Sequence, residues 1–497
     1  MNSPDSVLVV RVFPRLYRDS VTLMALASEI QKRDGVRSVG AMMATPANLE
    51  ILGRSGMVPE DLTTAPDDLL ITVRAVDPPT AEAALASAEE GLTVVEQASG
   101  TAERVRPATV SEGLAADPAV TIAAVSTPGV HAPVVVEQAL RAGLHVFCFS
   151  DNVSVDDEVR LKDLAADRGL LLMGPDCGTA VVDGVPLGFA NVLSAGPVAI
   201  VAASGTGAQE VSCLLDRAGV GVSQIVGVGG RDLSVEVGGR MTDLALDMVA
   251  ADEATRAVVV VSKPPAAEVA ERLLDRLATL GKPAVACFVG HDDADGPVVV
   301  RGTLEGAALA AAALLGRPLR IEATPPPAAL PPRAPRVLGL YTGGTLASEA
   351  KVVLGRLGAS AEVIDLGADE YTTGRPHPMI DPSTRAEHVA AAGARVDVGV
   401  VLVDLVLGYG SSDDPATPLA EAVAAARDAA AADGRALDIV ASVCGTAGDH
   451  QGLQAQREIL RSAGVHVLDT NASAARYAAA LVGATAPTTA PTPEEHS

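Results

Sequence analysis

Residues 196–215 read GPVAIVAASGTGAQEVSCLL, and this stretch decides the fold. Pro197 to Ala203 is a short apolar run of the kind that forms a strand buried on both faces, and it stops at Ser204-Gly205-Thr206-Gly207. Val211, Leu214 and Leu215 then fall at i, i+3 and i+4, so a helix is predicted, and the small hydroxyl and glycine residues before it suit a cap and a tight turn. A strand that feeds such a turn into a helix leaves several backbone N–H groups aimed at one spot, at the positive end of the helix dipole. That spot suits an anion, although any parallel sheet also needs tight βα turns. The loop lacks the GK[ST] of a Walker A sequence and the GxGxxG of a dinucleotide fold.

Downstream, the pattern repeats. Residues 323–335, ATPPPAALPPRAP, read as an extended polyproline linker. Behind it, RVLGLYTGGTLASEAKVVLGRLG is again an apolar strand, a turn at Thr342-Gly343-Gly344-Thr345, and a helix. Two glycine-led helix starts in separate domains suggest two dipoles aimed at one anion, with Ser204, Gly205, Thr206, Gly207, Thr342, Gly343, Gly344 and Thr345 as its ligands. Upstream, from Ala119, short strands and helices alternate regularly, which means parallel strands with right-handed crossovers and ligands at the strands' carboxyl ends. Those ends carry Asn152, Asp176 and Cys177, which are candidate substrate contacts. The first hundred residues read as a further small α/β unit with an arginine-rich, glycine-free first turn at Arg11, Arg15 and Arg18.

The expected fold is therefore α/β with several parallel-sheet, Rossmann-like and flavodoxin-like domains. The predicted boundaries are 1–192 (with a small unit to about 106), 193–322, a linker at 323–336, 337–485 and a disordered tail at 486–497. A formal charge of −25 argues against nucleic acid or an anionic membrane as partner. Aromatics at 2 % leave no stacking platform for bases. Five scattered cysteines without CxxC spacing fit reduced thiols in a cytoplasmic protein, with no metal site expected.

Three further candidates stand near strand ends or in a rigid loop. Lys263 follows AVVVVS and precedes two prolines, so it either meets an anion over the sheet or is a surface lysine beside a turn. Arg231, in GVGGRDL, offers a second anion contact. The run GRPHPMIDP holds Arg375, a clamp for carboxylate or phosphate, and His377, a proton carrier given an imidazole pKa near 6.5; the loop otherwise only braces an interface.

These segments carry a resemblance. VSTPGVHAPVVVEQALRAG with MGPDCGT is similar to the second half of the CoA-binding domain of the succinyl-CoA synthetase α-subunit, while SGTGAQE and GVGGRDL resemble its ligase domain. Residues 338–481 resemble the CoA-ligase domain of the β-subunit. The two modules joined without an ATP-grasp domain, together with FSDNVS, MGPDCGT, GVGGRDLS, YTGGTLA and GRPHPMIDP, resemble the FdrA family.

The synthetases phosphorylate a histidine in a loop ending MGHAG, at the site of the two glycine-led helices. Here the loop is HDDADGPVVVRGTLEGA, His291 is flanked by aspartates, and Lys263 stands where the synthetases have a glutamate. The resemblance thus implies a subunit of an acyl-CoA synthetase or of an oxamate carbamoyltransferase of allantoin breakdown, working with further subunits. The departures favour the transferase, with carbamoyl phosphate or phosphate as substrate and Lys263, His377 and Arg231 at the chemistry. No cofactor is required; CoA is a possible ligand, although the usual CoA glycine loop is absent near Arg15. A scaffold that kept the fold and the anion site is the remaining alternative.

Overall fold

The computed structural model describes residues 6–16, 18, 20–31, 33–45, 48–49, 52–53, 56–59, 62–97, 107–321, 324–325, 334–372 and 375–484. Most of the predicted linker and all of the predicted tail lie outside them. The chain divides into two compact units, Met1–Arg106 with Thr373–Pro376, and the remainder.

In the first unit, Leu69–Ala75 is the central strand, antiparallel to both Val7–Phe13 and Val36–Met43. Strand periodicity sorts its side chains. Leu69, Ile71, Val73 and Ala75 share a core with Leu23 and Ile30 of the Ser20–Gln31 helix and with Ala81, Ala84 and Leu85 of the Pro78–Gln97 helix. Leu70 faces the other way, into a smaller cluster with Leu52 and Met57. The small α/β unit expected here is present, but its sheet is antiparallel.

The second unit is built from parallel strands. Ile122–Val125, His145–Cys148 and Leu172–Met173 form a three-stranded parallel sheet. A seven-stranded sheet runs in the order Val299–Arg301, Ala284–Phe288, Ala257–Ser262, Ala195–Ala202, Val222–Gly227, Thr179–Val182, Val185–Gly188. Only its last two strands, a hairpin, are antiparallel to their neighbours. A five-stranded parallel sheet follows, ordered Ser360–Asp365, Arg336–Tyr341, Val398–Val406, Asp438–Cys444, His466–Leu468.

The two larger sheets share one core. Helices Gly205–Arg217 and Leu304–Leu314 from the first lobe pack against Gly344–Arg356 and Asn471–Leu481 from the second, burying Val211, Leu214, Ala308, Leu346, Ala350 and Ala475 together. This explains a departure from simple amphipathicity: Gly207 to Leu215 are all buried, because their helix lies between two sheets. Backbone ties reinforce the contact. The carboxylate of Asp449 accepts from Val192 N–H and Asn191 Nδ2, at 2.8 Å each. Among the described residues no helix is long and apolar enough to cross a membrane.

Candidate functional site

The two glycine-led turns meet. Ser204 Oγ donates to Thr345 Oγ1 at 2.7 Å, and a Cβ on Gly343 would stand 3.0 Å from Cβ and Cγ2 of Thr206, so glycine there is what lets the two helix starts touch. Their surroundings differ. At the first turn, Ser204 caps its own helix by accepting from Gly207 N–H at 3.0 Å, which leaves the N–H groups of Gly205 and Thr206 as the remaining first-turn donors. Beside them stands Thr179, 2 % exposed, whose hydroxyl makes no hydrogen bond and lies 3.1 Å from where a Gly205 Cβ would be. A buried, unpartnered hydroxyl next to a helix N-terminus is a ready ligand for an anion.

At the second turn, the protein fills the cradle itself. The carboxylate of Asp404 accepts from Thr342 N–H at 2.8 Å, from Gly343 N–H at 2.7 Å and from the Thr342 hydroxyl at 3.1 Å, with the buried Arg385 guanidinium behind it. The expectation that Thr342 and Gly343 bind phosphate through their N–H groups is corrected on this point: an internal carboxylate already holds them. Thr345 accepts from Ser204 through its hydroxyl oxygen and keeps its own O–H to donate. Gly344 stays partly open, and a Cβ there would stand 2.5 Å from Asp365 Oδ2 and 3.4 Å from Lys263 Nζ. Lys263 therefore reaches the meeting point of the two turns. It has no ion-pair partner among the described residues, although its charge is felt by both Asp365 and Asp176.

Two more groups border this point. His377 accepts from Met379 N–H through Nδ1 at 3.2 Å, so the proton of the neutral ring sits on Nε2, close to Asp365 Oδ1 and Thr342 O across Gly367. Burial pulls the imidazole down to about 4. A ring held neutral, with Nε2 protonated, suits a hydrogen-bond donor and not the proton carrier expected from the sequence. Asp176 is exposed by surface area, yet the protein crowding its carboxyl and the Asp151 charge push it up to about 6, with Arg231 and Lys263 opposing.

Other candidates lie further back. Arg231 binds Glu158 through Nε at 2.8 Å and Val153 O at 2.7 Å; Glu158 also pairs with the buried Lys162 at 2.8 Å. The guanidinium is thus engaged in a fixed network beside Asp176 and is not an open clamp. Cys177 is buried, donates its thiol to Gly227 O at 3.4 Å, and is pushed up to about 12 by burial, so its part is in packing. Asn152 is exposed with φ 53°. Arg375 belongs to the first unit and not to the body that carries the turns. His291 stacks edge-on with Phe288 at 5.4 Å, and its carbonyl accepts from Arg356 at 2.7 Å. That places it at the far end of the helix starting at Gly344, roughly 15 Å from the turn.

Thr179, Asp365 and Asp404 were missed from sequence. For Asp404 there was a signal: it is the one charged residue in Val398–Val406, a nine-residue strand buried throughout.

Doubly wound parallel sheets joined through glycine-led helices define the class: the chain is a succinyl-CoA synthetase-like protein with CoA-binding and CoA-ligase modules. Residues 340–481 match the CoA-ligase family, 194–288 the CoA binding domain, and 6–107 the "AllF, heavy metal-associated domain" family. Over 498 residues the chain is 38 % identical to the Escherichia coli K12 protein YahF, covering 93 % of this chain and 95 % of that one, and it belongs to the FdrA family. It is 28 % identical over 174 residues to the ADP-forming succinate–CoA ligase subunit alpha-2 of Trichomonas vaginalis, covering 33 % of this chain and 54 % of the ligase subunit, about half its length. The dinucleotide-forming acetyl-coenzyme A synthetase 1 of Ca. Korarchaeum cryptofilum overlaps 73 % of this chain and 82 % of its own at 16 % identity and a TM-score of 0.32.

Residues 6–107 contain neither cysteine nor histidine, so the soft donors there are the thioethers of Met24, Met42, Met43 and Met57. At the Ser126–Gly129 turn the backbone of Asp151 and Asn152 packs against Gly129, and the CoA-binding match lies further along the chain, over the Ser204–Gly207 turn.

Proposed function

We propose that the chain is the phosphate-handling subunit of a carbamoyltransferase that moves a carbamoyl group between phosphate and oxamate, as in allantoin breakdown. One observation carries the reading: where the two glycine-led turns meet, the N–H groups of Gly205 and Thr206 and the buried Thr179 hydroxyl have no partner among the described residues, Lys263 stands near Gly344, and His377 is tied through Nδ1 to Met379 N–H. Phosphate would lie on Gly205 N–H, Thr206 N–H and Thr179 Oγ, with Lys263 neutralising its charge. In the forward direction the oxamate nitrogen attacks the carbamoyl carbon, the C–O bond to phosphate breaks, and phosphate leaves with both electrons while the nitrogen gives up a proton. Positioning and electrostatic stabilisation are what such a transfer needs, and neither ATP nor a phosphoenzyme enters it. Relatives built as ligase subunits support the need for partner chains.

A second reading, a subunit of an acyl-CoA ligase completed by a separate ATP-grasp chain, draws on the CoA-ligase and CoA-binding matches. Labelled ATP separates the two. Stoichiometric acid-labile phosphate on the chain at alkaline pH establishes the ligase. Formation of oxalurate from carbamoyl phosphate and oxamate by the reconstituted subunits, without label, establishes the transferase.

A further inference from the structure

The arginines at the far end of the Gly205–Arg217 helix take no part in the site described above. Arg457 lies in the middle of the Leu453–Ser462 helix and is 6 % exposed, yet its Nε and Nη2 make no hydrogen bond among the described residues. That leaves the N–H donors of the Nε–Nη2 edge unmatched, an edge able to grip a carboxylate or phosphate bidentately. A guanidinium withdrawn from water is ordinarily paired and hydrogen-bonded, because an unanswered charge there is costly.

The surroundings do not answer it. Arg217 Nη1 and Arg457 Nη1 stand 3.8 and 3.9 Å from the same Asp469 Oδ1, too far for a hydrogen bond, and Arg217 donates instead to Asp469 O at 3.0 Å. Arg461 is close enough for its charge to oppose that of Arg457, and Glu210, a further acid that Arg457 feels, accepts from Asn471 N–H at 3.1 Å. Burial, then the Arg217 charge, holds the Arg457 guanidinium below its ordinary range. Arg217 and Arg461 have a local reason to be basic, since each lies in the last turn of its helix and answers the helix dipole. Arg457 sits one turn earlier and has no such reason.

We propose that Arg457 is the floor of a second anion site, one that takes a phosphate group, with Arg217 and Arg461 at its mouth. The side chains of Arg217 and Asp469, 28 % and 31 % exposed, form the way in and must shift to admit the ligand. The anion ties the first lobe, through Arg217, to the second, through Arg457 and Arg461. It does so at the opposite end of the helix that starts at Gly205, roughly 20 Å from that turn. The site is separate from the phosphate chemistry at the turn and does not depend on it.

The test is calorimetric titration of the full chain with inorganic phosphate. Wild type should bind two phosphates, Gly205→Val one and Arg457→Leu one, with the Arg457 site weakened at least about tenfold by the leucine. Arg457→Leu should melt no lower than wild type without ligand, because it removes a buried charge that has no hydrogen bond on that edge. Arg461→Ala, at an exposed position, should weaken the same site without touching the core. A phosphate monoester, sn-glycerol 3-phosphate, should bind there as tightly as inorganic phosphate if the ligand is a phosphorylated metabolite, and more weakly if it is free phosphate. Wild-type stoichiometry and affinity in both Arg457→Leu and Arg461→Ala overturn the site. A single phosphate that is lost in Arg457→Leu and kept in Gly205→Val upholds it and sinks the turn instead. Failure of wild type to bind phosphate at all overturns both.

Discussion

The Ser204–Gly207 and Thr342–Thr345 turns share a sequence signature and touch through one hydrogen bond, yet they do opposite things with their N–H groups. The first is capped by its own serine and keeps two donors and a buried hydroxyl for something else. The second hands its N–H groups to Asp404, a carboxylate supplied from the neighbouring strand and backed by Arg385. A glycine-led helix start is thus an anion site in both cases, but in one of them the anion is part of the protein. The second turn serves as the scaffold that brings Asp365 and His377 up to the first, while Lys263 follows the strand that neighbours the first turn's own.

The largest expected effect comes from removing that internal anion. Asp404→Ala leaves two N–H groups buried without a partner and the Arg385 charge with only the backbone carbonyl of residue 404, and should cost about 3–5 kcal/mol in a urea melt. A loss below about 1 kcal/mol would mean the second turn is as open as the first. Next, Gly205→Val puts a β-carbon against Thr179 and should abolish phosphate-induced stabilisation, about 2.7 kcal/mol at a hundred times Kd. Gly344→Ala, which crowds Asp365 instead, should leave that protection in place. If Gly344→Ala alone removes it, the roles of the two turns are reversed.

The helices behind the turns extend the comparison through a matching pair of buried acids, Glu210 and Glu349. Glu349 accepts from Leu304 N–H and Asn471 Nδ2, and burial pushes it up to about 7 from 4.5. Because the folded state holds this proton more tightly than the unfolded chain, the group's contribution is fully present below pH 4.5 and is lost as pH rises through 7. Glu349→Gln should therefore stabilise the protein by about 2 kcal/mol at pH 8 and not at pH 4, as thermal melts at the two values would show. The smallest effect is at Lys263, which is solvent-exposed: Lys263→Ala should weaken phosphate binding by about tenfold. Unchanged affinity would make it a surface lysine beside a turn.

Much of this was legible in advance, for reasons that vary by residue. Apolar runs of four to seven residues ending in glycine or a hydroxyl marked the central strands of both large sheets, and the TGGT turn was matched to SGTG from sequence alone; the outer strands Thr179–Val182, Val185–Gly188 and Val299–Arg301 were not seen. His291 was set aside because of its aspartate neighbours, and the structure places it at the far end of the Gly344–Arg356 helix. The orientation of the N-terminal sheet was not legible, because its central strand Leu69–Ala75 is buried on both faces and so reads as the continuous apolar run that a parallel strand also gives.

What the amino-acid sequence determined by itself is local: which segments are strands, where the helices begin, and that two of them begin on glycine with N–H groups to spare. Those properties follow from backbone sterics and hydrophobic periodicity within a few residues. Which of the two turns stays open was decided only by tertiary structure. It depends on Asp404 arriving from a strand some sixty residues along the chain from Gly343, and on Thr179 being buried beside Gly205 with no partner. A helix dipole is a property of the segment, but the charge that answers it comes from wherever the fold brings one.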